Sequence, residues 1–130
     1  LGRIHGGVPR DLLAPALAEA IATGLATSEA DYVAALRRLT VLRRTFWEPF
    51  GRNDIVLLPA APHVAPADGT TGDPSFIVPT TVFGGPVATV KAGHAHDSHM
   101  PVGALLTMAP GADSRLAGFL LSETATELDL

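Results

Sequence analysis

At 130 residues, with 47% hydrophobic residues, 17% charged residues and a formal net charge of −4, the chain has the size of one domain and is too apolar for a disordered segment. Eight arginines and one lysine form no run longer than the pairs Arg37-Arg38 and Arg43-Arg44, which argues against nucleic acid as a partner, and no apolar stretch approaches the roughly 20 residues that cross a bilayer. The absence of cysteine excludes a disulfide scaffold and thiolate metal ligands, and a soluble protein of the reducing cytoplasm is expected.

The first periodic segment is "DLLAPALAEAIAT", Asp11 to Thr23, which puts Leu13, Leu17, Ala20 and Ile21 on one helical face and meets Gly24 as an expected stop. Ser28, followed three residues later by Asp31, has the form of a capping box with a shortened acid. It precedes "YVAALRRLTVLRRTFWEPF", where Leu36, Leu39, Leu42 or Arg43, Phe46 and Phe50 recur at helical spacing and the arginine pairs fall toward the other side. This predicts a long helix ending near Trp47, because Pro49 cannot continue it.

The period then changes. "DIVLL", Asp54 to Leu58, is a continuous apolar run bounded by Gly51 and Pro59, which predicts a strand buried on both faces. Residues Pro59 to Pro86 show neither helical nor strand period and are dense in Pro, Gly, Thr and Asp, so they read as a long ordered loop of the kind that usually carries function. "PVATVKA" (Pro86 to Ala92) and "PVGALLTM" (Pro101 to Met108) read as two more strands, each opened by a proline. Asp113 or Ser114 is placed to cap a last helix, "RLAGFLLSETATEL", with Leu116, Leu120 and Leu121 inward. Trp47 and Met108 read as packing residues. The order predicts an α/β protein with helices packed on a small mixed β-sheet, whose three short strands make it look incomplete.

Three stretches in this order, "DIVLLPAAPHVAP", "TGDPSFIVPTTVFGGPVATVKAG" and "MPVGALLTMAPGADSRL", resemble the C-terminal part of the amidase signature family, and "SEADYVAALRRL" resembles the long helix that enters that region. The likeness runs from about Ser28 to the end. Departures from the family pattern are Ala60 where threonine is common, Ile77 where asparagine is common, Gly85 where leucine is usual, Lys91 for a frequent proline, and Leu106 at the usual glutamine position. The resemblance implies the C-terminal portion of an α/β/α fold. It also implies one domain over residues 1–130, with residues 1–27 as helix and linker and residues 28–130 as the amidase-like helix, strands and final helix.

The resemblance further implies hydrolysis of a carbon–nitrogen bond by a nucleophilic serine, activated by a second serine in a cis peptide and by a lysine, with no cofactor and no metal. A serine needs a base to become nucleophilic and its oxyanion needs preorganised donors. Ser28, Ser75, Ser98, Ser114 and Ser122 include no adjacent pair and lie in no Gly-Ser-rich loop, and Lys91 is the sole lysine. No catalytic residue is therefore expected in this chain. Its expected partners are the N-terminal remainder of the same enzyme and a small amide substrate, with a homodimer left open.

Ligands of open α/β sheets sit beyond the carboxyl ends of strands, so the loop leaving "DIVLL" is expected to form part of a substrate cleft. Asp73, Phe76, Thr80 and Thr81 are the candidate lining residues, set against a simpler reading in which Asp73-Pro74 makes a turn and the threonines satisfy local backbone. His63, just after a strand end, is a weaker candidate. "GHAHDSHMP" places His94, His96, Asp97 and His99 together; a solvated turn is expected, with a metal site as the alternative. "HDSH" is not read as a Ser-His-Asp triad, since triads are defined by geometry rather than by adjacency. Two other readings are the amidase subunit of a tRNA-dependent amidotransferase and a stand-alone, non-catalytic binding module with a histidine-rich loop.

Overall fold

The computed structural model describes residues 7–67 and 69–122. They group into two compact units, Leu1–Thr40 and Val41–Leu130. Among the described residues, no helix is long and apolar enough to cross a membrane.

In the first unit a 3-10 turn over Arg10–Leu12 precedes helix α1, Pro15–Ala26. Pro15 stands in the first turn, where its fixed φ suits the helix and its missing N–H removes a donor that would have had no partner. The start expected at Asp11 is therefore displaced to the proline. Gly24, expected to end the helix, lies inside it. The end comes where Thr27 turns extended, with its backbone N–H and its hydroxyl both donating to Thr23 O at 3.1 and 2.9 Å.

Helix α2, Glu29–Trp47, begins as its sequence predicts. The Asp31 backbone N–H donates to Ser28 Oγ at 3.1 Å, and that hydroxyl donates to Asp31 Oδ2 at 2.7 Å. An aspartate is too short to reach back to the cap residue's own N–H, so its carboxylate fixes the capping hydroxyl instead. Pro49 ends the helix, and Gly51 and Asp54 close a turn: Gly51 N–H donates to Asp54 Oδ2 at 2.7 Å and Asp54 N–H to Gly51 O at 3.2 Å.

The second unit is built on a three-stranded sheet in the order β1-β3-β2, with β1 Val56–Pro59, β2 Val87–His94 and β3 Pro101–Thr107. The α/β class with helices on a small sheet is what forms, but the sheet is not mixed as expected: both strand pairings among the described residues are antiparallel. β3 is central. Its apolar run makes Leu105 and Leu106 nearly solvent-free, and Leu106 and Met108 pack with Ala112 and Leu116 of the final segment, flanked by Ile55, Ala88 and Val90.

Three expectations are corrected. β1 is not buried on both faces: it pairs only with β3 among the described residues, and Leu57 remains 62% exposed. Residues Pro59 to Pro86 are not without regular structure, because Ile77–Phe83 forms helix α3. Its β-branched residues disfavour a helix, but Pro79 falls in the first turn, where a missing N–H breaks no helical bond. The final helix α4, Asp113–Leu120, is capped from Ala112 with no side-chain bond, so neither Asp113 nor Ser114 is the cap residue. Leu116 points inward as expected, whereas Leu121 is 88% exposed because the helix ends before it. The expected continuation of that helix beyond Ser122 lies outside the described residues.

Trp47 and Met108 are buried packing residues. The Trp47 indole sits in a close-packed corner with Gly85, where a Cβ would meet Met108 O at 2.2 Å, Trp47 Cζ2 at 2.8 Å and Thr107 Oγ1 at 3.0 Å. Gly85→Ala is therefore expected to destabilise the fold by about 3 kcal/mol through forced displacement, and Trp47→Ala by roughly 3–5 kcal/mol through the cavity it leaves. Ser28→Ala, which removes only a cap, should cost about 1 kcal/mol. Urea denaturation of the three variants checks both the sizes and their order.

Candidate functional site

Strand β1 ends at Pro59, and the ladder continues one residue further through Ala60 N–H donating to Gly103 O at 2.9 Å. Beyond that bond the chain leaves the sheet, runs through residues 61–74 and enters α3. The concavity between this excursion and the ends of β1 and β3 is a cleft of about 1110 Å³. Its lining includes Pro59, Ala60 and Gly103 at the strand ends, and Pro62, Val64, Pro66, Asp73, Pro74 and Ile77 from the excursion and α3. Gly103 is required by close packing: a Cβ there would lie 3.0 Å from Ala60 Cβ and 3.2 Å from Thr89 Cγ2. The lining is mostly apolar with a few polar groups, His63, Thr70, Thr71 and Asp73, a composition typical of small-molecule sites.

Asp73 is placed by local chemistry. Its Oδ1 accepts a hydrogen bond from the Ser75 backbone N–H at 2.8 Å and another from the Ser75 hydroxyl. Pro74 O then accepts from the N–H groups of Ile77 and Val78 at 3.0 and 2.9 Å, so the Asp-Pro-Ser turn runs directly into α3. The Ser75 hydroxyl, then its N–H, and more weakly the nearby His63, stabilise the charged carboxylate and hold the Asp73 pKa below its ordinary value, against a small opposing effect of desolvation.

Of the four residues selected from sequence, Asp73 lines the cleft and the other three do not. Phe76 is half-buried at the residue preceding α3. Thr80 is fully buried, with its hydroxyl donating to Ile77 O at 2.8 Å and Phe76 O at 3.3 Å. Thr81 is exposed on the same helix. Ile77 and His63 are brought to the cleft instead. Ile77 would have been found had the segment been read as a helix, since it is the first residue of α3, four residues beyond Asp73.

The hydroxyl chemistry elsewhere is local. Lys91 is exposed in β2 and hydrogen-bonds no serine among the described residues. The histidine-rich stretch closes the β2–β3 hairpin: Ala95 N–H donates to Met100 O at 2.8 Å, His99 N–H to Ala95 O at 3.0 Å, and His99 adopts a left-handed φ of 55°. Ser98 Oγ accepts from Met100 N–H at 3.4 Å rather than meeting a histidine. Among the described residues no group of three or more His, Asp or Glu side chains is arranged to hold a metal ion.

Comparison with known proteins gives the following. No protein-family model matches the sequence, and no curated protein matches it significantly. Among solved structures, the chain is similar to an amidase, with a TM-score of 0.72 and 28% identity over 88% of this chain and 30% of that one. It is also similar to a chain from a vestigial protein complex that bears on the evolutionary origins of an s-triazine catabolic enzyme, with a TM-score of 0.69 and 25% identity over 88% of this chain and 28% of that one. The inhibitor-bound form of that complex matches at the same TM-score and identity. This chain thus spans less than a third of the length of the structures it matches. The amidase likeness read from the motifs is present in the fold as well.

Because the folded pKa of Asp73 lies below its ordinary value of 3.8, the stabilisation its charge gives the start of α3 is complete above that value and is lost as pH falls through the folded value. Asp73→Asn keeps an oxygen that can accept from Ser75 but not the charge. Wild type is expected to melt above this variant at neutral pH, and the two melting curves should converge as the pH is lowered past 3.8; a gap that persists in acid would assign the difference to packing.

Proposed function

We propose that this chain forms one wall of the substrate cleft in an amidase-type hydrolase of carbon–nitrogen bonds. The observation that carries the reading is the likeness in fold to an amidase across 88% of the chain. It is supported by a cleft of small-molecule size at the strand ends, walled by the segment that also bears the family-like motif Thr71-Gly72-Asp73-Pro74.

In this reading the remainder of the enzyme is the partner, and it supplies the reacting groups. Its serine hydroxyl attacks the amide carbonyl carbon while a second serine and a lysine accept the proton, and backbone N–H groups stabilise the oxyanion. The same proton is returned to the departing nitrogen as the C–N bond breaks, and water then releases the acid from the acyl-serine. The present chain binds and excludes: Pro62, Val64 and Ile77 offer apolar surface that displaces water, and Asp73, Thr70 and Thr71 offer polar contacts that orient a small amide. Phe76, Thr80 and Thr81 then act through the packing and pitch of α3 rather than by direct contact. A cytoplasmic setting fits a chain with no cysteine to protect or pair.

The test uses the gene product that carries this chain. It is expected to release ammonia from small primary amides, and a serine-reactive phosphonate should label a serine outside residues 1–130. Labelling of Ser75, or no ammonia from a broad amide panel, would overturn the reading. Ala61 lines the cleft and is exposed, so Ala61→Phe should fill part of it and raise KM about tenfold, equivalent to about 1.4 kcal/mol of lost binding, with a smaller effect on kcat.

A further inference from the structure

The charge pattern of the cleft carries a statement about which amides it accepts. Among the described residues that line the cleft, Asp73 is the one carboxylate, and none is a lysine or an arginine. Both Ser75 donors go to Oδ1, which fixes the orientation of the carboxylate, while Oδ2 accepts no hydrogen bond among the described residues. An ionised carboxylate can only accept, so this oxygen is matched by an N–H donor or a cation and repels an anion. Asp73 is exposed, in a lining otherwise rich in prolines and alanines together with Val64. His63 is the other titratable side chain among the described lining residues; it lies close enough to act electrostatically on Asp73 but donates no hydrogen bond to it.

We propose that the cleft is selective for small amides that carry a cationic ammonium or amidinium group, with Oδ2 of Asp73 as the counter-ion and the Pro62–Val64 wall receiving the intervening apolar chain. The inference rests on the amidase reading for the amide and on the cleft's own geometry for the charge. Ser75 is a positioning residue: it orients the carboxylate through Oδ1 and does not touch the ligand.

The experiment compares 5-aminopentanamide with its uncharged isostere hexanamide on the gene product that carries this chain, measuring ammonia release and, in parallel, binding by calorimetry. Wild type is expected to favour the cationic amide about tenfold in kcat/KM and in Kd, as for one well-placed charge contact. Asp73→Asn, which retains the turn, should bring the ratio of the two substrates close to one. Ser75→Ala, which weakens the turn and leaves the charge, should keep most of the preference. Hydrolysis without charge preference, a preference unchanged in Asp73→Asn, or equal loss in Ser75→Ala would overturn the proposal while leaving the amidase reading standing. Charge-dependent binding abolished by Asp73→Asn but without hydrolysis of any amide would sustain the cation site and defeat the amidase reading; absence of both would defeat the two together.

Discussion

The second unit depends on an approach so close that only glycine permits it. At Gly85 the chain passes between the Trp47 indole and the carbonyl of Met108, with the Thr107 hydroxyl alongside. That hydroxyl donates to Pro86 O at 2.8 Å, which ties the entry of β2 to the exit of β3. Trp47 Nε1 donates to Phe83 O at 3.2 Å, so the same side chain that fills the corner also satisfies a carbonyl at the end of α3. One tryptophan thereby links the last turn of α2, the end of α3 and the junction of two strands. Relatives in the family that the sequence resembles usually carry leucine at the position of Gly85; here the indole takes the volume that such a side chain would need.

From this corner the cleft inherits its shape. The last turn of α3 is held from outside by two donors on α2, because Arg43 Nε reaches Val82 O at 2.7 Å beside the Trp47 contact. Gly84, with a left-handed φ of 75°, returns its N–H to Thr80 O and Thr81 O and ends the helix. Phe83 stacks on Phe46 with ring centroids 4.4 Å apart, and Phe46 meets Trp47 edge to face at 4.8 Å. The first turn is set by Asp73 and Ser75. A seven-residue helix has little intrinsic stability, so side chains at its two ends fix where Ile77 and Asp73 stand. The cleft-lining turn at one end and aromatic packing at the other are thus parts of one mechanical arrangement.

Elements governed by local chemistry were legible in the sequence. Ser28 with Asp31 marks a helix start, Pro49 marks its end, and the apolar run of β3 marks a strand, because each signal acts within a few residues. Gly24 misleads because the surrounding alanines sustain the helix through one poor residue. α3 is hidden for the opposite reason: Ile77, Val78, Thr80, Thr81 and Val82 all favour extended backbone, and the helix is imposed by the Asp73–Ser75 turn before it and the α2 contacts after it. That single concealment explains the site. Asp73 was legible as a turn residue near a strand end, whereas the inward rotation of Thr80 follows only from a helical period that the residues do not display. Leu57 shows the converse: its apolar character suggests burial, and its place at the sheet margin leaves it exposed.

The base of the cleft is thinner than its volume suggests. Ala60 and Gly103 face each other across the β1–β3 ladder with space for one methyl group between them, and Thr89 presses from the neighbouring strand. A threonine at the position of Ala60, the common residue among amidase-like sequences, would crowd this floor unless its partners yielded. Residues 60, 89 and 103 should therefore drift as a correlated set among descendants of this gene, each mutation opening or closing the permissible choices at the other two.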